Sequence, residues 1–155
     1  MVGEVEISGA KNAVLPIIIG ALLAEDVTVL HDVPNLSDVA TIREILETLG
    51  AKITFENHIM TIDCRSVDRY TAPYDYIQKM RASVLIMGPL LARFGKAKIS
   101  MPGGCAIGTR PIDLHLYGLR QLGVKISEQN GFIVCDGTLM RNGEVNFDFP
   151  SVGAT

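Results

Sequence analysis

Two apolar patterns alternate along the chain, and they call for two kinds of helix. Residues 13–24 are apolar apart from Pro16 and Gly20, and residues 83–91 repeat the pattern around Gly88 and Pro89. Runs without a polar face predict helices enclosed by other elements, and Pro89 is expected to kink the second. By contrast Val39, Ile42, Ile45, Leu46 and Leu49 recur at helical spacing, with Asp38, Arg43, Glu44 and Glu47 between them. That spacing predicts an amphipathic helix with one face in water, Ser37 as its N-cap and Gly50 as its stop. After it, residues 51–55 and 59–64 flank a short polar turn, while 124–127 and 132–135 flank Asn130-Gly131. Both read as hairpins, the second with the stronger turn signal.

The order of elements repeats. Leu22-Leu23-Ala24 returns as Leu90-Leu91-Ala92, and Leu49-Gly50-Ala51-Lys52-Ile53 returns as Leu122-Gly123-Val124-Lys125-Ile126. The second copy is the longer one between these marks, and its extra length falls on the stretch 103–110, as an inserted functional loop would. A third copy opens where Gly3-Glu4-Val5 reappears as Gly143-Glu144-Val145, with Ser151-Val152-Gly153-Ala154-Thr155 in the place of residues 9–13. The fold class read from this is α/β, built of units that run strand, buried helix, strand, amphipathic helix, hairpin. The units cover about 1–64 and 65–137, with a third starting near 142 and cut short, in one partial lobe over 1–155 and no second domain. A chain that stops where its third buried helix should begin is expected to be a piece of a longer protein. Its uncovered apolar surface is expected to drive self-association.

Composition narrows the function classes. With 155 residues, 48% hydrophobic content and a mean hydropathy of +0.28, the chain can bury a core and is not disordered. A net charge of −3 and a pI near 5.6 argue against a nucleic-acid surface. The longest apolar run is far short of the roughly 20 residues a membrane span needs. Glu4 and Glu6 stand where a signal peptide would be basic. Three cysteines, Cys64, Cys105 and Cys135, form neither a disulfide framework nor a metal-binding spacing, so a reducing cytoplasm is the expected location.

Candidate chemistry concentrates in Pro102-Gly103-Gly104-Cys105-Ala106-Ile107-Gly108-Thr109-Arg110-Pro111. Its glycines let backbone N–H groups approach a ligand, and Pro111 reads as the N1 residue of a helix continuing through Ile112, Asp113, Leu114 and His115. A helix start beside a guanidinium suits phosphate or carboxylate. An isolated cysteine is usually a small buried hydrophobe, but the glycine-rich setting next to Arg110 predicts that Cys105 is exposed and activated. Cys64 and Cys135, at hairpin ends in matching repeat positions, read as structural. Lys11 and Arg81 open the two apolar helices, where a cation opposes the helix dipole and gains nothing structurally. Their ordinary reading is two solvated charges, and that of Asn12 is a turn or capping residue. His115 reads as structural, and His31 and His58 fall in turns without an assignment.

Gly9-Ala10-Lys11-Asn12-Ala13, Met80-Arg81-Ala82-Ser83 and the Cys-bearing string with its following Asp-Leu-His resemble the enolpyruvyl transferase family over essentially the whole chain. The Cys loop is similar to the branch that acts on a UDP-sugar rather than the sister branch acting on shikimate 3-phosphate. The resemblance implies an inside-out α/β lobe of three such units around buried helices. It also implies transfer of enolpyruvyl from phosphoenolpyruvate to the 3-hydroxyl of UDP-N-acetylglucosamine with release of phosphate. That reaction opens peptidoglycan precursor synthesis, and through it serves cell-wall growth, shape and division. No metal or organic cofactor is implied, and neither nucleic acid nor membrane is a partner. Cys105 would be the general acid toward the phosphoenolpyruvate methylene. Lys11 and Asn12 would contact phosphoenolpyruvate and the sugar, Arg81 the UDP-sugar, and Arg110, Pro111, Ile112, Asp113 and Leu114 the uridine and diphosphate. Ser151, Val152 and Gly153 would form a further contact strip, beside a Phe149 that departs from the Lys of some members. The base for the hydroxyl and a further Arg belong, in the family, to a segment beyond these residues, so the chain alone is expected to be inactive. The alternative is a noncatalytic nucleotide-sugar-binding module. An RNA-end-processing enzyme of similar repeats is disfavoured by the acidic balance and the Cys loop.

Overall fold

The computed structural model describes residues 3–5, 7–72, 81–100 and 112–151, with the side chains of 81–83 excepted. It divides into two compact units, Met1–Arg69 and Tyr70–Thr155.

In the first unit, α1 (Lys11–Gly20) continues through a 3-10 turn (Ala21–Leu23) into β1 (Val27–Leu30). Then follow α2 (Ser37–Thr48), β2 (Lys52–Glu56) and β3 (Ile59–Asp63). The three strands form one antiparallel sheet in the order β1-β3-β2. The apolar spacing read along α2 is its packing face: Val39, Ile42, Ile45 and Leu46 are buried, with α2 lying against α1. Ile18, Ile19 and Leu22 complete the core from the other helix, and Met60 and Ile62 from the central strand. Complete burial of a side chain of this size is worth about 1.5–3 kcal/mol, so this handful of contacts outweighs anything polar in the unit.

The second unit has the same plan. A 3-10 helix (Arg81–Ile86) leads into α3 (Met87–Phe94), β4 (Lys96–Ser100), α4 (Asp113–Gln121), β5 (Lys125–Gln129) and β6 (Phe132–Asp136). Its sheet order is β4-β6-β5, again antiparallel, and Thr71 bridges to Lys98 on the outer edge of β4.

Both hairpins are closed by two-residue turns with positive φ at each central residue: 47° and 61° at Asn57-His58, 52° and 78° at Asn130-Gly131. Turns of that kind match the strand twist. The glycine stops also recur. Gly50 has φ 109° and Gly123 φ 90°, and a Cβ on them would meet the carbonyl oxygens of Ser66 and Leu139 at 2.7 and 2.6 Å. Left-handed backbone and close approach thus require glycine at both places for separate reasons.

Several expectations are corrected. Ser37 is the first residue of α2 rather than its N-cap. Leu36 holds the cap position, and no side chain caps it; the exposed Ser37 carbonyl instead accepts from Thr41 Oγ1. Helix α4 starts at Asp113 with Ile112 at the N-cap; Pro111, read as its N1 residue, lies outside the described residues. The apolar helix at 83–91 is split, not merely kinked. Pro89 can neither donate to Leu85 nor avoid clashing with its carbonyl in an α-helix, and the backbone is 3-10 through Ile86 and α-helical from Met87. The first apolar helix is enclosed on one side only, since Ile17 and Leu23 are more than half exposed. No strand forms among the described residues of 3–10 or 141–151; strand geometry persists only where a ladder satisfies the backbone, and Val5 and Ile7 stand almost fully in solvent. Cys64 and Cys135 do not match. Register places Asp63 and Asp136 alike, opposite Lys52 and Lys125, so that Cys135 lies inside β6 and Cys64 just beyond β3.

Those two aspartates terminate the sheets by accepting from the backbone N–H two residues on, of Arg65 and of Thr138. Arg65 also donates from its side chain, which holds the Asp63 carboxyl down to about 2. A depressed carboxylate favours the folded state above its unfolded pKa and loses that effect as pH falls through the folded value. An NMR titration of Asp63 should therefore show a midpoint near 2, and Arg65→Ala should move it up toward the ordinary carboxylate range. The glycines give a second test by urea denaturation. Gly50→Ala and Gly123→Ala should each lose about 1–3 kcal/mol, whereas Gly20→Ala, helical and facing open space, should gain up to about 1 kcal/mol.

Candidate functional site

Helix α1 begins without help from any side chain: Ala10 is its N-cap, makes no side-chain hydrogen bond, and no acid sits in the first turn. The free N–H groups and the dipole leave this end electropositive, and Lys11 and Asn12 sit on it, both exposed. Lys11 is not a bare cation, however. Its Nζ lies 2.9 Å from Asp38 Oδ2, in the first turn of α2, so the lysine gains a partner that the sequence reading denied it. With half of the lysine side chain in solvent the pair is worth at most about 1 kcal/mol. It orients the ammonium and leaves it free to exchange partners.

A cleft of about 360 Å³ opens on the same unit, lined by Ser8, Gly9, Asp32, Pro34, Asn57 and His58 among others. His58 has a structural task there. Its Nδ1 is 3.0 Å from the Val33 carbonyl, and its own carbonyl accepts from the Val33 N–H, so the hairpin turn and the β1–α2 loop are clipped together.

In the second unit Arg81 is the first residue of the 3-10 helix, with a side chain outside the described residues. Ile112 is buried at the N-cap of α4, Asp113 is its exposed first-turn acid, and Leu114 is half-buried. An acid in the first turn complements the helix dipole. Ser151 is half-buried. Cys105, Arg110, Pro111, Val152 and Gly153 lie outside the described residues. Two groupings thus result, Lys11-Asn12 on the first unit and Ile112-Asp113-Leu114 on the second.

The other thiols are buried. Burial pushes the Cys135 thiol up to about 11, with Arg120 opposing, which suits an inert core position. Among the described residues no group of three or more His, Cys, Asp or Glu could hold a metal ion, and no helix is long and apolar enough to cross a membrane.

Sequence reasoning missed two features. Asp38 as the partner of Lys11 could have been suspected from the acid that follows Ser37. His115 was passed over as an ordinary helical residue, yet it lines a groove of about 390 Å³ between the 3-10 helix and α3 on one side and α4 on the other.

Comparison with known proteins agrees with the architecture. The model of the family described as EPSP synthase (3-phosphoshikimate 1-carboxyvinyltransferase) matches residues 1–155. A curated relative from Carboxydothermus hydrogenoformans, named UDP-N-acetylglucosamine 1-carboxyvinyltransferase 2, is 52% identical over 155 residues, covering 100% of this chain and 37% of the relative. One from Psychrobacter arcticus, named UDP-N-acetylglucosamine 1-carboxyvinyltransferase, is 47% identical over 156 residues, covering 99% of this chain and 37% of its own length. The chain thus spans little more than a third of these relatives. Among solved structures, the enolpyruvyl transferase NikO from Streptomyces tendae superposes with a TM-score of 0.74 at 21% identity, over 88% of this chain and 30% of that one. The repeated helix-and-sheet plan, the structural likeness and the full-length match to the family model together mean that this chain belongs to the EPSP synthase (3-phosphoshikimate 1-carboxyvinyltransferase) family.

Proposed function

We propose that the chain supplies part of the site for enolpyruvyl transfer from phosphoenolpyruvate to the 3-hydroxyl of UDP-N-acetylglucosamine, in the cytoplasm, at the start of peptidoglycan precursor synthesis. One observation carries the reading: in the sequence the Gly-rich, Cys-bearing string 102–111, with Arg110 near its end, immediately precedes Ile112, the N-cap of α4. Relatives that are 47–52% identical across the chain carry the name of that activity, which supports the same reading.

The chemistry follows from charge. Phosphoenolpyruvate brings a phosphate and a carboxylate, and the sugar nucleotide brings a diphosphate. Lys11, Arg81, Arg110 and the electropositive helix ends are suited to hold these anions while positive character develops at the enol carbon. Cys105 delivers a proton to the methylene carbon as the sugar oxygen bonds to the adjacent carbon and passes its own proton to the base that the family carries outside this segment. The tetrahedral adduct then expels phosphate by C–O cleavage, and a methyl proton returns to the Cys105 thiolate as the double bond is restored. Asn12 orients the reacting groups. Pro111, Ile112, Asp113 and Leu114, with Ser151, Val152 and Gly153, form the wall for the nucleotide.

The test is a chimaera in which residues 1–155 replace the matching segment of the Carboxydothermus hydrogenoformans relative. It should release phosphate only when both substrates are present. Lys11→Ala and Arg110→Ala should each lower turnover by about 100-fold or more while thermal stability changes little. Turnover near the parent level in both variants would remove the site assignment, and retained UDP-N-acetylglucosamine binding without phosphate release would favour the noncatalytic alternative. Limited alkylation of the folded chain provides an independent measurement. Cys105 should be labelled well before Cys64 and Cys135, and preferential labelling of either buried thiol would contradict an activated Cys105.

A further inference from the structure

The segment entering α1, the loop after β1 and the first hairpin turn meet at the cleft of about 360 Å³ in the first unit, where Ser8, Asp32, Asn57 and His58 bring polar side chains and Pro34 an apolar one. Three of the four non-glycine residues with positive φ among the described residues, Asp32, Asn57 and His58, stand on its wall. The hairpin turn demands such backbone of Asn57 and His58. Asp32, at φ 57°, lies in the loop after β1, where no hairpin turn demands it. Two features fix it there. The Val33 N–H donates to the His58 carbonyl while His58 Nδ1 bonds the Val33 carbonyl, and the Asp32 carbonyl lies so close to Gly9 that a Cβ on Gly9 would collide with it. The cleft is thus braced from two sides, and left-handed backbone away from glycine gathers at functional sites.

Counting donors and acceptors gives the ligand chemistry. A carbonyl can only accept, so Nδ1 of His58 carries the proton and, in the neutral ring, Nε2 is left as an acceptor. The Asp32 carboxylate accepts only, and among the described residues it has neither a hydrogen bond nor an ion pair, while Lys11, Arg43, Arg65 and Arg69 are held by other acids. The Ser8 hydroxyl and the Asn57 amide can accept as well. Ser8, Asp32, Asn57 and His58 are all exposed residues, so a ligand reaches them from solvent. A carboxylate among further acceptors suits a molecule that brings positive charge and several N–H donors. A sugar or polyol would leave the charge unmatched. One carboxylate and one imidazole are too few for a metal ion, and among the described residues no group of three or more His, Cys, Asp or Glu could hold one.

We infer that this cleft binds a small organic cation with a primary ammonium group, held by the Asp32 carboxylate and His58 Nε2, with a short alkyl part against Pro34. The volume falls at the lower end of the roughly 300–1,000 Å³ of small-molecule pockets, which suits a ligand of a few carbons. Charge alone adds little at an exposed site, so selectivity comes from directed N–H bonds. The inference does not rest on enolpyruvyl transfer, because none of the residues given a role in that reaction lines the cleft.

Butylammonium is the probe, with tetramethylammonium as a cation lacking N–H donors and butanol as an uncharged counterpart. Each is titrated into the 155-residue chain at constant ionic strength, with the His58 ring and Asp32 backbone signals in NMR as the readout. Butylammonium should shift them saturably and bind about 3–5-fold tighter than either control, the effect of one exposed charge-assisted contact. Asp32→Asn keeps a residue that tolerates positive φ and should remove that preference. His58→Gly, which gives this turn the Asn-Gly pair of the second hairpin, should weaken it. The wild-type comparison decides the matter even if a variant does not fold. The inference is overturned by the absence of a saturable shift, by equal affinities for the three probes, by tighter binding of glycerol or Mg²⁺ than of butylammonium, or by a folded Asp32→Asn chain that keeps the preference.

Discussion

Everything in the first unit hangs on one contact, the apolar face of α2 against α1. Ile42, Ile45 and Leu46 meet the side of α1 that carries Ile18 and Ile19, and all are removed from water. The sheet is too small to stand alone, because three short strands need a helix against one face to hold together. Gly50 then turns the chain out of the helix with a backbone other residues resist, so the hairpin begins close enough to cover the same core. In the second unit Leu116 of the amphipathic helix is buried, but Leu119 and the C-cap Leu122 are only half-buried.

That difference separates the roles of the units. A core filled by isoleucines resists change, since removing methyl groups from such a site costs several kcal/mol. A half-filled one leaves room for adjustment. The proposed site residues among those described, by contrast, gather at the helix starts. There the backbone presents unpaired N–H groups regardless of the core, and charges can be placed or exchanged at little cost to folding. The pairing of Lys11 with Asp38 is of this kind: close enough to orient an ammonium, exposed enough to release it.

Much of the architecture was legible because it depends on short-range rules. Helical spacing from Val39 to Leu49, the Asn130-Gly131 turn and the repeated Leu-Gly step each specify local geometry through side-chain period or permitted φ. Errors arose where a neighbour decides. Ser37 has the right chemistry for a cap, but the chain enters α2 one residue earlier, so its hydroxyl makes no capping bond. Residues 3–5 have strand-like alternation and no ladder. Cys64 and Cys135 look equivalent by position near a hairpin end, and only the pairing of Asp63 with Lys52 and of Asp136 with Lys125 reveals the shift. Of the candidate site, the sequence offered the chemically unusual residues, and among them the structure describes the placement of Lys11, Asn12, Ile112, Asp113, Leu114 and Ser151, and the backbone of Arg81.

By itself, then, the sequence determined the amphipathic helix, the hairpins and the family, because periodicity, turn residues and a long motif are properties of neighbouring positions. Tertiary structure decided what those elements do to one another: that α1 hides one side rather than all, that Lys11 has a carboxylate at hand, and that His115 lines a groove. These depend on which surfaces the fold brings within van der Waals or hydrogen-bonding distance. A linear pattern carries no such distance.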